Sequence, residues 1–314
     1  TTGNAADFGN MTITNGYRSS VSNQTRGVTG SGANPLSDVI DYITIAQTGN
    51  AVDFGNLSAN REKPAAFAST TRGIFAGGTE PSLVNTIEYI TIATTGNAVD
   101  FGDARGVLSA SAGCSNATRG IIKERGSVAS PGYTNQMSYL TIATLGNAID
   151  FGDMAVGRNG GAGAASATRG VFAGGYDPSP PSPYSAGDQT SIEYTVISSK
   201  GGASDFGDLQ LKNGGLKGCS DNIRALWMGG KWGGAFSGDS EIEYSTIATT
   251  GDSSTFGYLR SGKEYMGNPG CFASTTRGVV GAGFNTGGGS PWAGYQNSID
   301  YVTIQTLGNS QEFG

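Results

Sequence analysis

Few residues in this chain have the types or spacing that chemistry requires. Its 314 residues contain no histidine, so nothing within it can serve as a His-activated nucleophile or a His metal ligand. The three cysteines, Cys114, Cys219 and Cys271, are odd in number and occupy nearly equivalent places in three different repeats. They read as small buried thiols, with no spacing that implies a disulfide or a metal site. Paired-carboxylate hydrolysis has two formal candidates, Asp177 with Asp188 and Asp239 with Glu241, but nothing in their spacing singles them out. The Gly-rich stretch from Gly160 to Gly163 has no helix pattern after it, so a phosphate cradle is not supported. The sequence therefore predicts no catalytic residue, no metal and no cofactor, and a protein that is not an enzyme.

Two kinds of charged residue recur, an Arg once per repeat and an Asp in five of the seven copies of the repeated phrase. Arg26, Arg72, Arg119, Arg169, Arg224 and Arg277 each sit in or near a Thr-Arg-Gly phrase, and Asp7, Asp53, Asp100, Asp150 and Asp205 each precede a Phe-Gly step. A ring of Arg presents fixed forks of donors and could dock an acidic or symmetric partner. The alternative is structural, with each Arg paired inside its own repeat or with a nearby backbone carbonyl. The repeated Asp reads as a turn or blade-joining element.

The elements that position these residues follow from the repeat itself. The phrase YITIATTGNAVDFG (Tyr89 to Gly102) returns from Tyr42, Tyr139, Tyr194, Tyr244 and Tyr301, and a partial copy ends at Gly9. Aligned on Phe8, Phe54, Phe101, Phe151, Phe206, Phe256 and Phe313, the units are 46 to 57 residues long, a period that signals repeat architecture. Within a unit, short runs rich in β-branched and small residues alternate with Gly, Asn and Ser-Thr clusters, giving four strands of about five residues. Thr71-Arg72-Gly73 is expected to form a tight turn between the first two strands, with Gly73 at positive φ, and Thr95-Gly96-Asn97 a turn between the last two. Links this short make the strands antiparallel neighbours. Because Ile90 and Ile92 point one way and Tyr89 and Thr91 the other, each sheet has two faces to cover, and stacking units around an axis covers both.

The order of these subphrases resembles the kelch repeat, with Gly-Gly at Gly77-Gly78, Gly174-Gly175 and Gly229-Gly230, loosened to Gly281-Ala282-Gly283 and absent from the third unit. Phe101 and its equivalents stand where kelch repeats carry Trp. The wording TRG-[VI]-F-A-G-G followed by YITIATTGNAxDFG more narrowly resembles kelch-like repeats in virion proteins of tailed marine bacteriophages, especially cyanophages. The copper site of kelch-bearing galactose oxidase is excluded by the missing His. The expected fold is all-β, a kelch-like propeller of four-stranded antiparallel blades. Six blades are favoured, and seven would follow if three strands lay outside the chain. The units run over 10–55, 56–102, 103–152, 153–207, 208–257 and 258–314 of a single domain, with 1–9 an extra outer strand.

Composition narrows the function. Gly makes up 53 of the residues, more than twice the usual ~7%, as many tight turns require. The net charge of -6 with 19 scattered Lys and Arg lacks the footprint of a nucleic-acid binder. No apolar run reaches the ~18 residues of a membrane span, and no signal peptide is seen. In a propeller the two regular turns share one face, while the links between second and third strands emerge on the other. Those links vary, and in units four to six they carry Tyr176, Tyr184, Trp232, Phe236, Phe284, Trp292 and Tyr295 among Gly, Pro and Ser. Loops of this composition on a rigid scaffold suit contacts with protein or with the apolar faces of sugars. The resemblance implies a noncatalytic virion component in a tail, fibre or capsid-associated position. It would contact other virion proteins or a host cell-surface glycan or protein. A carbohydrate-binding module is the alternative, and a glycan-cleaving enzyme the third reading.

Overall fold

A β-sheet with apolar side chains on both faces is stable only between two others, and the six sheets of this protein meet that need by closing into a ring. The computed structural model describes residues 10–47, 49–124, 134–178, 187–230, 241–259, 270–281, 284–285, 294–295, 299–308 and 311–312. Among them there is no helix, and hence none long and apolar enough to cross a membrane. Each blade is a four-stranded antiparallel meander. In blade 1 the strands are Ser19–Ser22, Arg26–Gly30, Ser37–Thr44 and Val52–Arg61, with Val21 opposite Val28 and Val28 opposite Tyr42.

The first strand of every blade lies innermost. Ser19–Ser22, Ala65–Ala68, Gly113–Ser115, Ala162–Ala165, Lys217–Ser220 and Gly270–Ala273 each touch the next around the axis, and the sixth touches the first. This closure decides the blade count as six. Ser22 Oγ donates to Ala273 O at 2.9 Å across the closing seam. Asn10, the first described residue, lies at the same seam, where its carbonyl accepts from Ala51 N at 2.8 Å and Met11 packs beside Val279 and Ile299. Asn56 and Asp103 play that part between later blades, accepting from Ala98 N and Ala148 N, each at 2.8 Å.

The apolar core is divided among the seams rather than gathered at a centre. Six clusters of buried side chains each join two consecutive blades. Val21, Val28, Ile40 and Phe54 of blade 1, for example, meet Phe75, Ile90 and Ile92 of blade 2. At the outer rim the seams are closed by backbone. Gly96 N donates to Phe54 O at 2.8 Å, and Gly146, Gly201, Gly251 and Gly308 repeat the bond to Phe101, Phe151, Phe206 and Phe256.

The Thr-Arg-Gly phrase does not form the turn expected of it. Arg72 and Gly73 belong to the second strand, Arg72–Ala76, and the turn lies one step earlier, with Ser69 N donating to Arg72 O at 2.9 Å and Ser69 Oγ accepting from Arg72 N at 3.1 Å. Glycine is needed there for room, not for positive φ. A Cβ on Gly120 would lie 1.9 Å from the Phe67 ring of the preceding blade, and one on Gly73 would lie 2.6 Å from Val21 Cγ2. The Gly-Gly pairs, by contrast, do adopt left-handed backbone, with φ of 67° and 115° at Gly77 and Gly78. They turn the chain across the entry to its own blade, where Thr79 N donates to Glu62 O at 2.9 Å.

Gly120→Val should destabilise the protein by about 1–3 kcal/mol through overpacking. Phe67→Ala in the same chain should recover part of that loss, giving a favourable coupling in a double-mutant cycle followed by urea unfolding. Additive losses would contradict the contact.

Candidate functional site

Each repeated Arg lies along the end of its blade. The Arg26 guanidinium sits 4.5 Å from the centroid of Tyr42, whose ring meets Phe54 edge-on at 6.0 Å. Arg26 Nη1 then donates across the seam to Ile92 O and Ala93 O, at 3.0 and 2.9 Å. Arg72 reaches Ile142 O at 2.8 Å, and Arg119 reaches Ile197 O and Ser198 O at 3.1 and 2.8 Å. Arg169 reaches Ile247 O and Ala248 O at 3.2 and 2.9 Å, and Arg224 reaches Ile304 O at 2.9 Å. Arg277 stacks over Tyr301 at 4.8 Å. Where the third strand leaves its ladder its carbonyls lose strand partners, and the planar fork of an Arg can serve two at once. A docking partner for this ring would have to compete with those bonds.

A second set of charges lies inside. In five of the six blades an acid precedes the repeated Tyr, with Ser138 in its place in blade 3; these positions share strand parity with the buried Ile side chains, and Asp41, Glu88, Glu193, Glu243 and Asp300 are all buried. Three are met by an Arg from the segment leading into the same blade. Arg18 pairs with Asp41 at 2.8 Å, Arg61 with Glu88 at 2.6 Å, and Arg158 with Glu193. Burial lowers the Arg18 pKa, against the opposing effect of Asp41. Among the described residues Glu243 has no cation partner. Burial raises its pKa, although the Ser253 hydroxyl and the Gln210 amide donate to it. The parity of Glu88 with Ile90 and Ile92 was the available sign that these acids point inward.

On the variable face, Tyr176 is half-buried. It lies on the two-residue strand Tyr176–Asp177, which pairs with Gly187–Asp188 and so brings the stretches of Asp177 and Asp188 side by side. Tyr176 also exchanges backbone bonds with Asn159, at 2.8 and 2.7 Å. Phe284 and Tyr295 face each other by backbone register in a second such hairpin. Tyr184, Trp232, Phe236, Trp292 and Asp239 lie outside the described residues. Glu241 opens the third strand of blade 5 and accepts from Thr255 Oγ1. Cys114 and Cys219 are buried and Cys271 half-buried, all as free thiols. Burial pushes the Cys114 and Cys271 thiols up, away from the reactive thiolate. Among the described residues no group of three or more Cys, Asp or Glu could hold a metal ion.

The regular face opens into a funnel of about 390 Å³ around the axis. Its rim alternates. Blades 1, 3 and 5 begin their turns with Ser22-Asn23, Ser115-Asn116 and Ser220-Asp221, whereas blades 2, 4 and 6 use Ala68-Ser69, Ala165-Ser166 and Ala273-Ser274. Ser115 Oγ both donates to Ala68 O and accepts from Ala68 N, at 2.6 and 3.2 Å, and Ser220 treats Ala165 the same way, at 2.7 and 3.1 Å. The intervening seams use the Asn side chain instead, with Asn23 Nδ2 donating to Thr70 O at 3.3 Å and Asn116 Nδ2 to Ala167 O at 2.9 Å. Between blades 5 and 6 the place of the Asn is taken by Asp221, which accepts from Gln305 Nε2 instead, so the alternation is regular in the Ser bridges and only partial in the Asn ones. Compared with known proteins, the chain matches no family profile and no curated sequence.

Arg169→Ala should cost about 1–3 kcal/mol in denaturant unfolding, through the loss of charged hydrogen bonds and the Tyr194 stack. Wild-type stability in that variant would contradict the joint. Glu243→Gln tests the unpaired acid. A raised folded pKa means that wild-type stability is lost as pH rises from the ordinary carboxyl value of 4.5 through the folded one. The melting temperature of Glu243→Gln relative to wild type should therefore climb between pH 4 and pH 8, and a difference that falls over that range would refute the assignment.

Proposed function

We propose that this chain is a noncatalytic structural and binding component of a bacteriophage virion, in a tail, fibre or capsid-associated position. The kelch-like wording of its repeats, which resembles that of tailed-phage virion proteins, supports this reading. The observation that carries the binding role is the contrast between the two faces of the ring. One face is made of near-identical turns whose polar groups join neighbouring blades. On the other, blades differ, with short hairpins added at Tyr176–Asp177 and Gly187–Asp188 and at Phe284–Asn285 and Gly294–Tyr295. Repetition there would serve packing, whereas blade-specific variation serves recognition. In this proposal the variable links of blades 4 to 6 contact a neighbouring subunit or the host surface, and the rigid ring holds them in place.

Carbohydrate binding is the second reading, because the same links are rich in Tyr, Trp and Phe. Electron cryomicroscopy of particles of the encoding phage should show a six-bladed ring at a fixed, symmetric position. Particles without the chain would overturn the virion assignment. On a glycan array, binding lost in Trp232→Ala and Trp292→Ala would select the carbohydrate reading, and no binding to any surface polysaccharide would remove it.

A further inference from the structure

Where the six inner strands converge below the funnel, the axis holds a second cavity of about 50 Å³ to which every blade contributes. Inner strands this close leave little room for side chains, and the positions facing the axis are mostly Gly, Ala and Ser. One residue breaks the pattern. Lys217, on the inner strand of blade 5, lines this cavity and makes no hydrogen bond or ion pair among the described residues, and no Asp or Glu lines it. Three further donors line the cavity unpartnered. They are the Ser20 and Ser111 hydroxyls and Arg18 Nε, with Ser111 only 2% exposed and Arg18 only 1%. The rest of the Arg18 guanidinium is taken up by Asp41 and by backbone carbonyls.

We propose that this axial cavity is a binding site for a small inorganic anion of halide size, held by the Lys217 ammonium, Ser20 Oγ, Ser111 Oγ and Arg18 Nε. The chemistry of the lining selects the sign of the ligand. Lysine and the Arg Nε–H only donate, and a serine hydroxyl turns to donate when an acceptor is present. Lys217 is half-buried with no carboxylate on the cavity lining, and an anion there would supply the missing counter-charge at close range. The Lys217 pKa is in keeping with this, pushed down to about 8 by burial, although the Cys271 thiol opposes the shift; Lys63 lowers it further. Size limits the ligand. The cavity has room for a few water-sized bodies, which excludes a sugar or a nucleotide. Because the site joins the inner strands of blades 1 and 5 to the residues leading into that of blade 3, its occupant ties the ring together at the axis, and binding to the folded state alone raises stability.

Diffraction at the bromine edge from crystals of the whole chain soaked in sodium bromide should give an anomalous peak within hydrogen-bond distance of Lys217 Nζ and Ser111 Oγ. Water alone there, without anomalous signal, would overturn the proposal. In solution, the melting temperature should rise saturably with bromide above an ionic-strength control of sodium sulfate. Lys217→Met should shift the half-saturation concentration by at least ~10-fold, the loss of one charged contact. Equal rises in bromide and sulfate would also refute the site. If Lys217→Met does not fold, Ser111→Ala supplies the comparison, with a smaller shift in the same direction.

Discussion

The structure depends on one constraint, that every sheet of the chain has two apolar faces. A single such meander leaves half its apolar side chains in water, and a stack with free ends leaves two faces exposed. Closure into a ring removes both ends. The buried residues accordingly form six seam clusters, each shared by two neighbouring blades. Hydrophobic burial supplies the drive without direction. The directional bonds that hold adjacent blades in register are polar and lie at the inner and outer rims.

Those rims explain where the repeated polar residues go. Near the axis, Ser22, Ser115 and Ser220 bridge three of the seams and Asn23 and Asn116 two of the others. At the periphery, the Phe-Gly carbonyl of one blade accepts from the turn of the next. Between them, Arg runs along its own Tyr and ends on the neighbour's carbonyls. Each is a solution to the same problem, backbone groups left unpaired where one ladder stops and another begins. The recurring Arg side chains and the recurring Phe carbonyls are thereby committed to the ring, whereas the recurring Asp53, Asp100, Asp150 and Asp205 are exposed. In the function proposed above, recognition is assigned to what does not recur.

Legibility in the sequence followed the same division. Strand number, antiparallel order and the identity of the two faces could be read from the phrases around Tyr89 and Thr71, because turns and period-two patterns are local. Gly73 departs from the positive φ expected of it, since its lack of a Cβ makes room for Val21 of another blade and not for its own backbone. The buried acids were partly visible, as Glu88 shares parity with Ile90 and Ile92, yet Arg61 comes from a different strand and nothing in its neighbours marks it as a partner. The aromatic links of blades 4 to 6 were legible as exceptions to the repeat, and Tyr176 is half-buried, with its backbone paired to Asn159, rather than simply presented.

By itself the sequence determined an all-β chain of repeated four-stranded units, since hydrophobic alternation and Gly-rich turns act over a few residues. Six blades rather than seven was decided only by the tertiary structure, through contact of Gly270–Ala273 with Ser19–Ser22. So was the commitment of Arg26 to carbonyls 66 and 67 residues away, and the gathering of Lys217, Ser111, Ser20 and Arg18 at one point on the axis. These depend on how many units fit around a circle, and that follows from the twist and packing angle between neighbouring sheets, which no single repeat encodes.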